Sequence, residues 1–218
     1  MSLTSKFLLQ PLALATLVCF AGGAHATVTV YTSQAAFLAA VTAPGVDTFT
    51  GFSITGATPS PINRTAGSYG YTATASTSSF WGAGTVANPW LSTNIATDSV
   101  TFNGFTGGVS AFGGNFFGSN ISGLFAAGDV VLTATDASGT VTQTITGATT
   151  SSFVGFVSDG ALLSATLQSA PAAGTVLWPT ADNLTLAAVA AVPEPETYAL
   201  LLSGLGVLGL VARRRRQV

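Results

Sequence analysis

The sequence predicts a mainly β protein: an antiparallel, jelly-roll-like β-sandwich with one short N-terminal helix and a C-terminal transmembrane helix. Three observations carry this. Thr, Val, Phe, Gly and Ser dominate the middle of the 218-residue chain, with turn residues recurring at short intervals, the pattern of many short strands. Several of those stretches alternate apolar and polar residues with a period of two. No repeat of fixed period is present, which argues against a β-solenoid.

The chain divides into three segments. Residues 1–26 begin with Lys6, continue through a largely apolar stretch, Phe7–Phe20, and end in Ala24-His25-Ala26. A positive start, a hydrophobic middle and an Ala-x-Ala site are the three parts of a secretory signal peptide, with cleavage expected after Ala26. Residues 27–192 form the expected β ectodomain, long enough for one domain with a real core. Residues 193–218 form the tail.

Within the ectodomain, Thr27–Tyr31 alternates as a first strand. Thr32 or Ser33 can cap a helix running to Ala43, with Ala36, Phe37, Ala40 and Val41 on one stripe and Pro44-Gly45 stopping it. Strands are expected over Asp47–Ile54 and Ser68–Ser76, separated by a Pro-rich loop around Pro59 and Pro61. Phe80–Asn94, with Trp81, Pro89 and Trp90, reads as irregular. Asp98–Phe102 is a strand, followed by Val109–Phe117 with a bulge at Gly113-Gly114. Asp129–Thr135 and Thr140–Thr146 form a hairpin through Asp136-Ala137-Ser138-Gly139, with Val130, Leu132 and Ala134 facing in. A second hairpin joins Ser152–Val157 to Ala161–Gln168 through Asp159-Gly160, with Leu163, Ala165 and Leu167 on one face. Asn183–Ala190 closes the fold on Leu184, Leu186 and Ala188.

Removing residues 1–26 removes the chain's Cys19, His25 and Lys6, each the only one of its kind. Nucleophilic catalysis by Cys, or by Ser with His, is then excluded, as are disulfides and the usual zinc sites. The ectodomain keeps Arg64 against Asp47, Asp98, Asp129, Asp136, Asp159 and Asp182, so one positive charge against six negative gives −5. Such a surface disfavours nucleic acid as a partner. Carboxylate chemistry is all that remains, and these Asp sit mainly at turns, where they satisfy backbone N–H groups; no enzyme is expected. No cofactor is required. Asp129 and Asp182 are weak calcium candidates, without the D-x-D-x-D-G loop that would strengthen them. Trp81, Trp90 and Trp178 are candidate sugar contacts, because an exposed indole can stack on a sugar ring while a buried one only fills the core. Tyr69 and Tyr71 share a strand face and are a weaker version of the same idea.

The tail contains Val192-Pro193-Glu194-Pro195-Glu196, then an apolar run Tyr198–Ala212, then Arg213-Arg214-Arg215-Arg216. The prolines break both helix and strand. The apolar run carries no charge but falls short of the ~20 residues that span a bilayer comfortably. Four arginines act as a stop-transfer cluster held on the cytoplasmic side. Motif, Gly-rich apolar segment and arginine cluster in this order resemble the PEP-CTERM sorting signal of Gram-negative bacteria. That resemblance implies an exosortase-type membrane protease as partner, cutting near the Pro-Glu-Pro. It also implies transit across the inner membrane and delivery to the cell surface or extracellular matrix. Tails of this type also carry an ice-binding label, for which the sequence offers no regular Thr-x-Thr ladder. Val109–Phe117 and Trp178…Asp182-Asn183-Leu184 resemble segments of jelly-roll ectodomains joined to such tails, which are similar to lectin-like sandwiches. The function this implies is structural or adhesive, in contact with exopolysaccharide; the alternative is a lectin-like module with a defined glycan site.

Overall fold

The computed structural model describes residues 27–77, 79–189, 200–206, 208, 209 and 213. The chain separates into a compact unit, His25–Val192, and a second unit made of Met1–Ala24 and Pro193–Val218.

The compact unit is built from antiparallel strands and one helix. In chain order these are β1 (Val28–Tyr31), α1 (Gln34–Ala40), β2 (Thr42–Asp47), β3 (Ala57–Pro59), β4 (Ile62–Ala66), β5 (Tyr69–Ala75), β6 (Ser79–Trp81), β7 (Ala83–Gly84) and β8 (Pro89–Ser92). They continue with β9 (Val100–Thr106), β10 (Ala111–Ser119), β11 (Phe125–Ala126), β12 (Gly128–Asp136), β13 (Gly139–Ala148), β14 (Phe153–Ser158), β15 (Leu162–Ala170) and β16 (Trp178–Ala188). An eight-stranded sheet has the order β1-β14-β10-β16-β8-β7, with β11 also on β10 and β2 also on β16. A six-stranded sheet has the order β13-β12-β15-β9-β5-β4, and β3 pairs with β6 alone. From β9 onward the chain changes sheet at every connection except β10–β11 and β12–β13.

The two sheets share one apolar core. Phe102 of β9 meets Phe112 of β10 at 5.2 Å between ring centroids, and Phe112 stacks on Phe116 at 5.8 Å. Leu132 and Leu167 approach from the six-stranded sheet, Leu184 and Leu186 from the other. The six-stranded sheet is buried on one face only, as the alternation in β5 and β12 shows. Strands β10, β14 and β16 are buried on both. Part of this cover is α1, whose Phe37 forms a second small core with Ala111, Phe153, Val157 and Ala187. Gly155 lets this ring approach, since a Cβ there would lie 2.3 Å from Phe37 Cδ2.

Several expectations hold. Ser33 caps α1, the Asp136–Gly139 hairpin forms, Val130, Leu132 and Ala134 face the core, and the bulge falls between Gly113 and Asn115. Others need correction. The helix ends at Ala40, because Val41 is extended and Thr42–Asp47 pairs with β16. The strand expected over Asp47–Ile54 is therefore β2, ending where that stretch was to begin. The Pro-rich loop contains β3 and ends at β4, and Phe80–Asn94 holds parts of three short strands. Asp159-Gly160 is a corner between sheets and not a hairpin, since β1 and β10 already occupy both edges of β14. Leu163 is 54% exposed: a register shift between Thr135 and Asp136 of β12 turns it out of β15 and buries Leu162 in its place. Tyr69 and Tyr71 face the core and offer no platform.

The outer face of the six-stranded sheet is solvated by hydroxyls. Thr142, Thr133, Thr166, Thr101 and Thr74 stand in register across five adjacent strands, and β13 alternates Thr140, Thr142, Thr144 and Thr146. The sequence reading missed this alternation.

In the second unit, residues 200–206 are helical with Leu200, Leu201, Leu202 and Leu205 exposed, and Arg213 is helical and exposed. Among the described residues no helix is long and apolar enough to cross a membrane. The signal peptide with Ala24 and Ala26, the Val192–Glu196 motif, and Arg214, Arg215 and Arg216 lie outside the described residues, as does part of the apolar run.

Candidate functional site

Two of the three tryptophans come together. At one end of the eight-stranded sheet, Trp81, Gly82, Ala83, Ser92, Thr93, Asn94, Ser119, Asn120, Ile121, Gly123 and Trp178 line a pocket of about 230 Å³. Local alternation explains Trp81: in β6 its neighbour Phe80 is fully buried against Phe52, which turns the indole to the other side, 40% exposed. Gly82 lets the backbone pass close to Ser53, donating to its carbonyl at 3.0 Å; a Cβ would sit 2.4 Å from that oxygen. Trp178 opens β16, and its Nε1–H donates to the Asn94 carbonyl at 3.4 Å.

The rest of the wall is uncharged, with apolar Ala83 and Ile121 beside polar Thr93, Asn94, Asn120, Ser92 and Ser119. Ser92, Ser119 and Thr180 are buried and share hydrogen bonds beneath the pocket: Thr180 Oγ1 donates to Ser119 Oγ at 2.8 Å, and Ser92 Oγ to the Pro179 carbonyl at 3.0 Å. The Asn120 side-chain oxygen accepts from the Ser122 and Leu124 N–H groups, which shapes the turn and commits that oxygen. Gly84 N–H donates to the Gly123 carbonyl at 2.8 Å and ties this turn to β7. Among the described residues no charged side chain lines the pocket. An aromatic wall above fixed hydroxyls and amides suits an uncharged, hydroxyl-bearing ring.

Trp90 does not join them. It packs edge-on against Phe117 at 4.9 Å, and among the described residues its buried Nε1 has no acceptor at full hydrogen-bond geometry, the Asp182 carboxylate lying nearby. Nor do the calcium candidates meet. Asp129 lies on the six-stranded sheet, accepting from Gly147 N–H at 2.8 Å, whereas Asp182 lies on the eight-stranded sheet, accepting from Asn183 N–H at 2.8 Å. Among the described residues no group of three or more acidic, His or Cys side chains could hold a metal. Burial raises the Asp182 carboxyl, against the pull of Asn183, Asn88 and the nearby Trp90 indole.

The strongest polar cluster was not anticipated. Asp47, at the end of β2, receives Arg64 Nε at 2.7 Å, Arg64 Nη2 at 2.8 Å, the Tyr71 hydroxyl at 2.8 Å and Phe49 N–H at 2.8 Å. The guanidinium also lies over the Phe49 ring, 5.3 Å from its centroid. Burial and then the Asp47 charge raise the Tyr71 hydroxyl, and the hydrogen bond to Asp47 raises Arg64. This cluster ties β2 of one sheet to β4 and β5 of the other. A lone cation in a charge-poor domain was the sequence signal that could have flagged it.

The PEP-CTERM protein-sorting motif matches residues 191–216. The class this tail defines is that of exported proteins handed to a membrane processing enzyme. The chain carries a sorting signal consistent with an exosortase substrate, which implies export and transient membrane anchoring before processing. No curated protein and no solved structure matches the chain.

Proposed function

We propose that this chain is an exported surface protein whose ectodomain binds exopolysaccharide in a structural or adhesive role, through the pocket walled by Trp81 and Trp178. The observation that carries the reading is the convergence of those two indoles on a pocket bottomed by hydroxyls. The architecture proposed beneath it is a jelly roll. In support, the chain changes sheet at most connections from β9 onward, and its inner strand orders, β8-β16-β10-β14 against β9-β15-β12-β13, are those expected of the double Greek key of that fold. The role is binding and not catalysis: Asp47 is held by Arg64, Asp136 by its own turn, and Asp159 by Thr27. The apolar run before Arg213 is proposed as the transient anchor. The threonine ranks serve as an uncharged solvated face.

The test is a glycan array probed with the purified full chain and with Trp81→Ala and Trp178→Ala variants. Binding that both variants weaken supports the pocket. Trp90→Ala is unsuitable as a probe, because that residue belongs to the packing. Absence of binding to every polysaccharide would remove the glycan reading.

A further inference from the structure

Resting on that glycan reading, we infer that the pocket is selective for uncharged sugar residues and rejects uronate, sulfated and phosphorylated ones. Anionic glycans are bound by charge-assisted hydrogen bonds from Arg or Lys, often in bidentate geometry. Among the described residues this pocket contains neither: its polar wall is Thr93, Asn94, Asn120 and the Ser92 and Ser119 hydroxyls, and the rest is indole and aliphatic. The ectodomain cannot lend one. It has no Lys, and its one Arg, Arg64, is spent on Asp47 and stacked over Phe49. A carboxylate or sulfate entering here would lose its hydration and gain no cation, an uncompensated cost. It would also approach a domain of six Asp and one Arg, whose field opposes anions at low salt.

The neutral groups, by contrast, suit sugar hydroxyls. Asn94 is exposed, and among the described residues its side-chain amide has no hydrogen-bond partner. Asn120 has its oxygen committed to the Ser122 and Leu124 N–H groups, which leaves its Nδ2 hydrogens to donate. The Ser92–Ser119–Thr180 hydroxyls are bonded to one another and to Pro179, so the floor is fixed before a ligand arrives. The indoles then supply the apolar face that a neutral ring covers. With a volume of about 230 Å³, the pocket falls below the usual range for drug-sized ligands. It therefore suits a single ring or chain end over a long segment of polymer.

The experiment compares the purified full chain on two sets of immobilised polysaccharides, neutral hexose polymers and uronate- or sulfate-bearing ones. Each is measured from about 10 mM to about 150 mM salt, across which the screening length changes several-fold. The expected result is binding to neutral polymers that does not change with salt. Trp81→Ala and, separately, Asn94→Ala should each weaken it by about tenfold, the loss of one good contact. Trp81 and Asn94 are both exposed, so neither variant should disturb folding; an unchanged thermal midpoint checks this. Equal or tighter binding of the anionic polymers would overturn the selectivity while leaving the glycan reading in place. Binding that falls steeply with salt would do the same. Failure to bind either set would overturn the glycan reading, and this inference with it.

Discussion

Arg64 shows how much one residue carries when charge is scarce. It donates twice to Asp47, which also accepts from Tyr71. Removing the guanidinium leaves a buried carboxylate without its counter-charge, so Arg64→Ala is expected to cost about 3 kcal/mol or more. A denaturant midpoint checks this, and Asp47→Ala/Arg64→Ala should lose less than the sum of the single changes. The carboxylates also set how stability responds to acid, with opposite signs. Burial tends to raise Asp136, but bonds from the Ser138 hydroxyl, the Ser158 hydroxyl and the Ser138 and Gly139 N–H groups outweigh it and hold the carboxyl below its usual value. Its contribution is therefore present above the unfolded value and is lost as pH falls through the lower, folded one. Asp182 is raised, so its ionised form costs stability at neutral pH, and that cost is relieved as pH falls. Asp136→Asn should then destabilise most at about pH 7 and least at about pH 3, while Asp182→Asn should cost little at about pH 7. Urea midpoints at both pH values distinguish the two; equal losses from both variants at neutral pH would contradict the assignment.

At the scale of elements, the informative contact is α1 against β14. Phe37 is fully buried, and its ring occupies the space a side chain at Gly155 would need. Gly155→Ala is expected to cost about 1–3 kcal/mol through overpacking. That cost should shrink in a Phe37→Leu background, where the ring is gone; a thermal-melt cycle of the four proteins measures it. This contact also marks where the sequence could be read and where it could not. The period-two face of Val130, Leu132 and Ala134 was legible because β12 is buried on one side only. In β14, every residue is buried, so alternation has nothing to report, and Asp159-Gly160 looked like a hairpin turn. Which sheet a strand joins depends on edges already taken, information no local window holds. Leu163 failed for a related reason: one bulged residue reverses the face of what precedes it. The candidate site divided the same way. Trp81 and Trp90 look alike in the sequence, two indoles of one Gly/Pro-rich stretch, yet Trp81 lines the pocket and Trp90 packs on Phe117; that division, and the meeting of Trp81 with Trp178 far along the chain, required the fold.

Across the whole molecule, folding and sorting draw on different residues. The residues of both cores lie between Val28 and Val189, whereas the PEP-CTERM match covers residues 191–216. Charge is divided the same way: the ectodomain has Arg64 as its one cation, and the tail has four consecutive arginines. A cluster of that kind opposes passage of the end of the chain across the membrane, while the acidic, Lys-free ectodomain contributes nothing comparable. Changing Arg213, Arg214, Arg215 and Arg216 to Gln should therefore weaken membrane retention and processing, with no change in the stability of the ectodomain. Fractionation of cells expressing each form, together with the mass of the released product, reads the first effect, and a thermal melt reads the second. Normal retention and processing of the Gln form would remove the arginines from the sorting mechanism. A lowered melting point would show that the tail stabilises the ectodomain, and the division between folding and sorting would fail.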